Sequence, residues 1–162
     1  MTAVSENQQT VPAPPRRLAL EKLAPDFYRA LFQTSQAAET GLDPVLAELV
    51  KIRASMINGC AFCIDMHTTD ARRAGEAEHR LHALSAWRET PHYTAKERAA
   101  LALTEAITLL TEGHVPDAVH QEAAAQFDEE ELARLIATIA VINTWNRVAV
   151  ATRLSPAPRT EG

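Results

Sequence analysis

The sequence predicts an all-α fold of about seven helices with no sheet. Apolar residues recur at helical spacing almost everywhere after Pro25, and no stretch alternates convincingly at a period of two. The Asn58-Gly59 pair is a dipeptide typical of hairpins, but here it follows the helically spaced stretch "LAELVKIRASMI". We therefore interpret the pair as the end of a helix.

The 162 residues are enough for one domain with a buried core. Residues 1–16 are polar and contain prolines, so we expect a flexible or extended N-terminal arm there. Residues 17–162 are expected to form the helical domain. In chain order, the predicted helices cover residues 25–40, 44–58, 60–74, 77–88, 94–113, 116–126 and 128–153.

Capping signals mark the boundaries of these helices. Asp43 precedes Pro44, which places a capping side chain before a proline at the first helical position. Gly59 is expected to end the same helix. Thr94 and Glu97 have the spacing of a capping box, in which each side chain accepts a hydrogen bond from the other residue's backbone N–H.

The last predicted helix begins with a similar pair, Asp128 and Glu131. Its sequence is apolar nearly all round over Leu135–Ile142. A helix of this kind must be covered on every side. Two interpretations remain open: the helix is central in the fold, or it is shared with another subunit.

Composition narrows the function classes. The formal net charge is −5, and the Lys and Arg residues are scattered, which argues against nucleic-acid and anionic-membrane surfaces. No apolar run reaches the roughly 18 residues of a transmembrane helix. The first residues lack the apolar region of a secretory signal, so we expect a cytoplasmic protein, where thiols are kept reduced. A purely structural disulfide is not expected there.

The stretch "NGCAFCIDMHTTD" contains both cysteines of the chain. On a helix with about 3.6 residues per turn, Cys60, Cys63 and His67 lie on one face. The two cysteines fall in the first turn, where the helix dipole and unpaired N–H groups favour a thiolate. His67 could take the thiol proton or donate a hydrogen bond to the thiolate.

Glu48 lies on the apolar face of the preceding helix, which a tight turn joins to the helix of His67. We expect this carboxylate to be partly desolvated, with a raised pKa that makes it a base near neutrality. The two helices can fold back on each other and bring Glu48 to His67. A carboxylate–imidazole–thiol relay is therefore geometrically reasonable.

Two other interpretations of this stretch compete with the proton relay. The cysteines could be small residues filling a helical core. Alternatively, Cys60, Cys63 and His67 could hold zinc, with Glu48, His79 or His82 as the fourth ligand. The three residues crowd onto one helix face, and no second ligand pair is present, so neither a metal nor a cofactor is expected. 

The chain resembles the AhpD-like alkylhydroperoxidase family, within the carboxymuconolactone decarboxylase superfamily. The resemblance rests on Glu48, Cys60, Cys63 and His67, whose spacing is far more specific than a Cys-x-x-Cys pair alone. It extends through "ELVKIRASMINGCAFCIDMHTTDARRAGE", and more loosely through "AWRETPHYTAKERAALALTEA" and "NTWNRVAVATR". It implies an AhpD-like all-helical fold, assembly into trimers or hexamers, and reduction of alkyl hydroperoxides through a thiol–disulfide cycle.

By this resemblance, Cys63 is the thiolate that attacks the peroxide and Cys60 the thiol that closes the disulfide. Glu48 and His67 relay the proton. Position alone leaves the order of the cysteines open, because Cys60 is nearer the helix N-terminus. The partners implied are a peroxide substrate and an unidentified thiol or dithiol reductant. Phe62 stands where AhpD proteins carry a relay histidine, and it suggests a more apolar pocket suited to organic hydroperoxides.

Two other functions remain as alternatives. The first is a non-enzymatic redox sensor or disulfide-exchange module, in which a slowly formed disulfide changes an interface. The second is a decarboxylase or lactone-processing enzyme, as elsewhere in the superfamily. That chemistry does not need a Cys-x-x-Cys pair, so the presence of the pair argues against it.

Overall fold

A computed structural model describes residues 11–157 of the chain. In this part there are eight α-helices, two 3₁₀ segments and no strand. The helices are α1 (Leu20–Leu23), α2 (Pro25–Glu39), α3 (Pro44–Asn58), α4 (Ala61–Arg73), α5 (Glu78–Ala83), α6 (Ala95–Thr108), α7 (Asp117–Ala124) and α8 (Glu129–Thr152). The 3₁₀ segments are Leu84–Glu89 and Leu110–Glu112. The all-α class predicted from the sequence is confirmed.

The caps that the sequence indicates are formed. The Asp43 side chain accepts a hydrogen bond of 2.9 Å from the backbone N–H of Leu46. Gly59 ends α3 in the left-handed region with φ of 66°, which glycine adopts at little cost. Complete capping boxes begin α6 and α8. Local chemistry therefore accounts for most of the boundaries.

Two of the predicted helices are shorter than expected, and one helix was not anticipated. The helix predicted over 77–88 is α-helical only to Ala83. The 3₁₀ segment that follows is broken at Ala86, whose φ of −120° and ψ of 34° lie outside the helical region. The break turns Trp87 so that its ring N–H donates to Glu105 at 2.7 Å. The helix predicted over 94–113 ends at Thr108, and a 3₁₀ turn follows it. The short α1 precedes Pro25 without a side-chain cap.

Helix α8 lies at the centre of the fold and packs against α2, α3, α4, α6 and α7. Leu135, Ile139 and Ile142 on its inner side are buried. Its outer side leaves Ile136 and Val150 exposed, 37% and 50% respectively. The helix is thus central, as one of the two interpretations holds, but one apolar side remains uncovered in the single chain.

Helix α8 is also the one helix among residues 11–157 that is long and apolar enough to cross a membrane. Only 44% of the apolar 18-residue stretch of this helix is buried. Length and composition alone are weak evidence, because the core helix of a soluble protein passes the same test. This feature was not expected from the sequence, which has no uninterrupted apolar run of that length.

The chain that leads into α1 lies against the end of α8. The backbone N–H of Arg17 donates to the carbonyl of Thr152 at 2.9 Å, and its guanidinium donates to the carbonyl of Ala151 at 3.0 Å. Residues 11–16 are exposed and not helical. The first ten residues of the predicted arm lie outside the described part of the chain.

Candidate active site

The turn between α3 and α4 places the two cysteines. Cys60 is the N-cap of α4, and its sulfur accepts a hydrogen bond of 3.3 Å from the backbone N–H of Cys63. The two residues are joined as a disulfide, and each is 2% exposed. They pack against Ala149 of α8. The pair is therefore oxidised in this structure and shielded from bulk water.

A cavity of about 520 Å³ lies between α2, α4 and α8. Cys63 and His67 line it, and Cys60 does not. Much of the rest of the wall is apolar: Tyr28, Phe32, Phe62, Met66, Trp145 and Val148. The ring N–H of Trp145 donates to Ser35 of α2 at 2.7 Å, which fixes α2 over the cavity. The cavity thus places a largely apolar space beside Cys63.

His67 and Glu48 meet across α3 and α4. The Nδ1 atom of His67 is 2.9 Å from Oε2 of Glu48, and the His67 residue is 8% exposed. His67 lies one turn after Cys63 on α4. The structure thus brings together the four residues singled out from the sequence.

Lys51 and Glu39 extend this group, although neither was expected from the sequence. The ammonium of Lys51 is 2.6 Å from Oε1 of Glu48 and 3.0 Å from Oε2 of Glu39. Both residues line the cavity. The sequence contains a signal for Lys51, because Glu48 and Lys51 have the i,i+3 spacing of a helical ion pair. No local pattern in the sequence connects Glu39, on α2, to either residue.

The expectation that the pKa of Glu48 is raised is wrong. Burial raises this pKa, as the sequence argument assumed. However, the hydrogen bonds and positive charge supplied by His67 and Lys51 outweigh burial and hold the pKa of Glu48 below its usual value. Glu48 is therefore a carboxylate at neutral pH that orients the His67 ring, rather than a base poised near neutrality.

Arg53 is a second cation on α3, but it does not pair with Glu48. Instead, the guanidinium of Arg53 donates to Glu105 at 2.9 Å, on the other side of α3. Trp87 and Arg88 donate to the same carboxylate. Burial raises the pKa of Glu105, but these donors outweigh it and lower the pKa overall. Arg53 is thus bound to Glu105, and Glu48 contacts His67 and Lys51 instead.

The two histidines considered as fourth zinc ligands lie elsewhere. The ring of His79 packs edge-on against that of His92, with centroids 4.9 Å apart. His82 is 3.4 Å from Glu78 on the exposed side of α5. Among residues 11–157, no group of three or more His, Cys, Asp or Glu side chains is arranged to hold a metal ion.

A buried amide network behind the site was also not foreseen. The Nδ2 group of Asn58 donates to Asn143 and Asn146 of α8, each at 2.9 Å. Asn146 in turn donates to Ser55 of α3 at 3.0 Å. The network fixes α3 against α8 on the side of the cysteine turn. The letters "NTWNR" contain both α8 amides, but sequence alone does not show which face of the helix they occupy.

Residues 25–106 match the model of the carboxymuconolactone decarboxylase family. The protein YdfG of Bacillus subtilis (strain 168) is 40% identical over 137 residues, which cover 84% of this chain and 93% of YdfG. The protein YnjA of Escherichia coli (strain K12) is 37% identical over 103 residues, or 63% of this chain and 56% of YnjA. Both relatives are themselves uncharacterised.

Solved structures share the fold. ATU0492 of Agrobacterium tumefaciens, a protein of unknown function and candidate antioxidant defence protein AhpD, is 38% identical. It superposes with a TM-score of 0.86, and the match covers 89% of this chain and all of that one. The debrominase Bmp8, solved with 2,3,4-tribromopyrrole, is 22% identical with a TM-score of 0.73, covering 82% of this chain and 71% of Bmp8.

A peroxidase-related protein of Ralstonia eutropha JMP134, described as an alkylhydroperoxidase AhpD core, is 20% identical. Its TM-score is 0.74, with coverage of 85% of this chain and 74% of that one. At this identity, the likeness to it and to Bmp8 shows the fold alone. The family match, together with the likeness to YdfG and ATU0492, leads to one conclusion. The chain belongs to the carboxymuconolactone decarboxylase family and has its AhpD-like all-helical fold.

Proposed function

We propose that the protein is a thiol-dependent peroxidase that reduces alkyl hydroperoxides through a Cys60–Cys63 disulfide cycle. One observation carries this proposal: a cysteine pair able to form a disulfide lies at an apolar cavity, one helical turn from an imidazole held by a carboxylate. The AhpD-related description of ATU0492 supports the same class of activity.

The cavity favours Cys63 as the attacking residue, because Cys63 lines it and Cys60 does not. The Cys63 thiolate attacks the outer oxygen of ROOH, the O–O bond breaks, and the leaving alkoxide takes a proton to become ROH. Cys63 is then a sulfenic acid. The Cys60 thiol displaces its hydroxyl group, which leaves as water, and the disulfide forms. Each cycle consumes one peroxide and oxidises two thiols.

The positions of His67 and Glu48 fit proton transfer in this cycle. Because Glu48 is ionised and its Oε2 faces Nδ1, that nitrogen carries the hydrogen, and Nε2 is left as the basic atom. Nε2 can accept the Cys63 proton, and the resulting imidazolium can return it to the leaving alkoxide. The negative charge of Glu48 stabilises the imidazolium between these two proton transfers.

The reductant must be an external thiol or dithiol. Two thiol groups supply the two electrons and two protons that return Cys60 and Cys63 to the reduced form, and the reductant becomes a disulfide. The aromatic wall around Cys63 favours hydroperoxides with an apolar organic group over hydrogen peroxide, because burying that group is favourable.

The test is steady-state reduction of cumene hydroperoxide with dithiothreitol as the electron donor. We expect many turnovers per chain for the wild type, slower reduction of hydrogen peroxide, and no turnover for Cys63→Ser. A wild type that is oxidised once but is not recycled by dithiols would instead indicate a redox sensor. Full turnover by Cys63→Ser would refute the assignment of the attacking residue.

A further inference from the structure

Lys51 is a buried cation that the proposed reaction does not yet use. It is 6% exposed, and its ammonium lies between the carboxylates of Glu48 and Glu39, at 2.6 Å and 3.0 Å. A buried ammonium is costly unless it is paired, so its two carboxylate contacts explain how it is tolerated. They do not explain why a cation lies in the wall of a largely apolar cavity.

We propose that Lys51 is a positioning residue of the redox site, which holds the Glu48 carboxylate turned towards His67. This inference rests on the proposed thiol chemistry at Cys63. The geometry is specific: one oxygen of Glu48 accepts from Lys51 and the other faces Nδ1 of His67. With Oε1 held by Lys51, the carboxylate cannot rotate to present a different edge to the imidazole.

The charged groups around Glu48 come from three helices. Lys51 lies on α3 with Glu48, His67 lies on α4, and Glu39 of α2 faces Lys51 rather than Glu48. Arg53 cannot replace Lys51, because its guanidinium is bound to Glu105. Lys51 is therefore the one permanent cation that contacts Glu48 in the described part of the chain.

Removal of this cation has a consequence for Cys63. Burial favours the protonated form of Glu48, and without Lys51 only His67 opposes it. Without the Lys51 ammonium on Oε1, Glu48 is also free to turn away from Nδ1 of His67. His67 then accepts the Cys63 proton less readily in the proposed cycle, so we expect the thiol to react only at higher pH.

The test measures ionisation of Cys63 without any peroxide. In a Cys60→Ser background, Cys63 is the only thiol of the chain, and serine also favours the N-cap position. The rate of alkylation by iodoacetamide is measured from pH 5 to 9 for this protein and for the additional variants Lys51→Met, Lys51→Arg and Arg53→Met. Circular dichroism checks the folding of each.

We expect Lys51→Met to move the midpoint of the alkylation profile up by about one pH unit, with a rate about tenfold lower below the midpoint. Lys51→Arg, which keeps the cation, should restore most of the wild-type profile. Arg53→Met removes a partly buried cation from the same helix and should leave the midpoint unchanged. If Lys51→Met does not fold, Lys51→Gln, which keeps a neutral donor, takes its place with the same expected shift.

An unchanged midpoint in the Lys51 variants would overturn the proposal, and so would equal shifts in the Lys51 and Arg53 variants. The test is separable from the proposed function. Failure of the wild-type protein to reduce cumene hydroperoxide would refute the peroxidase proposal. The alkylation profiles would still decide the role of Lys51.

Discussion

Cys60 and Cys63 differ in their surroundings, although they lie in the same helical turn. Cys63 lines the cavity, whereas Cys60 caps the helix and accepts a hydrogen bond from the Cys63 backbone. The helix N-terminus could favour the Cys60 thiolate, but a substrate in the cavity meets Cys63. Access, rather than acidity alone, therefore separates the two roles in the proposed cycle.

This asymmetry predicts different products for the two serine variants. Reduced Cys60→Ser should still react with cumene hydroperoxide, because Cys63 is intact, but its sulfenic acid has no partner thiol. We expect dimedone to trap it as a single adduct per chain, detected by mass spectrometry. Cys63→Ser should give no adduct at the same peroxide concentration. An adduct on Cys60 that forms as fast in Cys63→Ser would reverse the assignment.

The lowered pKa of Glu48 predicts that the stability of the folded protein depends on pH. The pKa of Glu48 in the folded protein is lowered from 4.5, so folding favours the ionised carboxylate. This stabilisation is complete above about pH 4.5 and is lost as the pH falls through the lower folded-state value. We expect the difference in free energy of unfolding between wild type and Glu48→Gln to shrink between pH 5.5 and 3 in urea titrations.

Glu130→Gln is the matched control, since Glu130 is 82% exposed at the start of α8. A difference between wild type and Glu48→Gln that stays constant over this pH range would contradict the account of Glu48.

Some features of the site follow from residue spacing in the sequence, and others depend on contacts that form only on folding. Glu48, Cys60, Cys63 and His67 could be found from the sequence, because their spacing places them on facing sides of two consecutive helices. The sign of the Glu48 pKa shift could not be predicted. It depends on Lys51, whose burial and contact with Glu39 of α2 exist only in the folded protein.

At the scale of helices, α3 and α8 form the frame that supports the cysteine turn. Asn146 on α8 is 1% exposed and joins Ser55 and Asn58 on α3. Asn146→Ala would remove both hydrogen bonds, although Ser55 still donates to the Lys51 carbonyl and Asn58 still donates to Asn143. We expect the loss to cost about 1–3 kcal/mol in free energy of unfolding. Urea denaturation measures this loss. Ala140→Ser, on the exposed side of α8, controls for a change on the same helix.

A loss below about 0.5 kcal/mol for Asn146→Ala, the size of an ordinary surface substitution, would contradict a structural role for the network.

Helix boundaries were predictable where a cap or a glycine enforces them. Asp43, Gly59 and Thr94 all act as expected. The break at Ala86 was not predictable, since alanine favours helix. The irregular turn at Ala86, inside the 3₁₀ segment that follows α5, lets Trp87 reach the partly buried carboxylate of Glu105 on α6, a tertiary contact that overrides local preference.

At the scale of the whole molecule, α8 has more apolar surface than one chain covers. Ile136 and Val150 remain exposed on its outer side. The family resemblance implies trimers or hexamers, and we predict that the protein forms one of these in solution. Sedimentation velocity at micromolar concentration measures the mass of the particle. A species with the mass of a single 17.7 kDa chain at all concentrations would contradict this prediction.

The all-α class was predictable over most of the chain, because apolar spacing and caps agree along it. The cavity was not, since its walls come from α2, α4 and α8, which meet only in the folded protein. Aromatic residues such as Tyr28 and Trp145 are over a hundred positions apart in sequence, yet their ring centroids lie 5.2 Å apart. The residues of the candidate site could thus be picked out from the sequence, whereas the cavity beside them could not.

The central claim is that Cys60 and Cys63 reduce a peroxide and become joined as a result. It is tested most directly by titrating free thiols in the fully reduced protein while cumene hydroperoxide is added in known amounts. We predict the loss of two thiols for each peroxide consumed, one Cys60–Cys63 disulfide per chain in the peptide map, and recovery of both thiols with dithiothreitol. Two thiols that persist through a stoichiometric addition of peroxide would contradict the account.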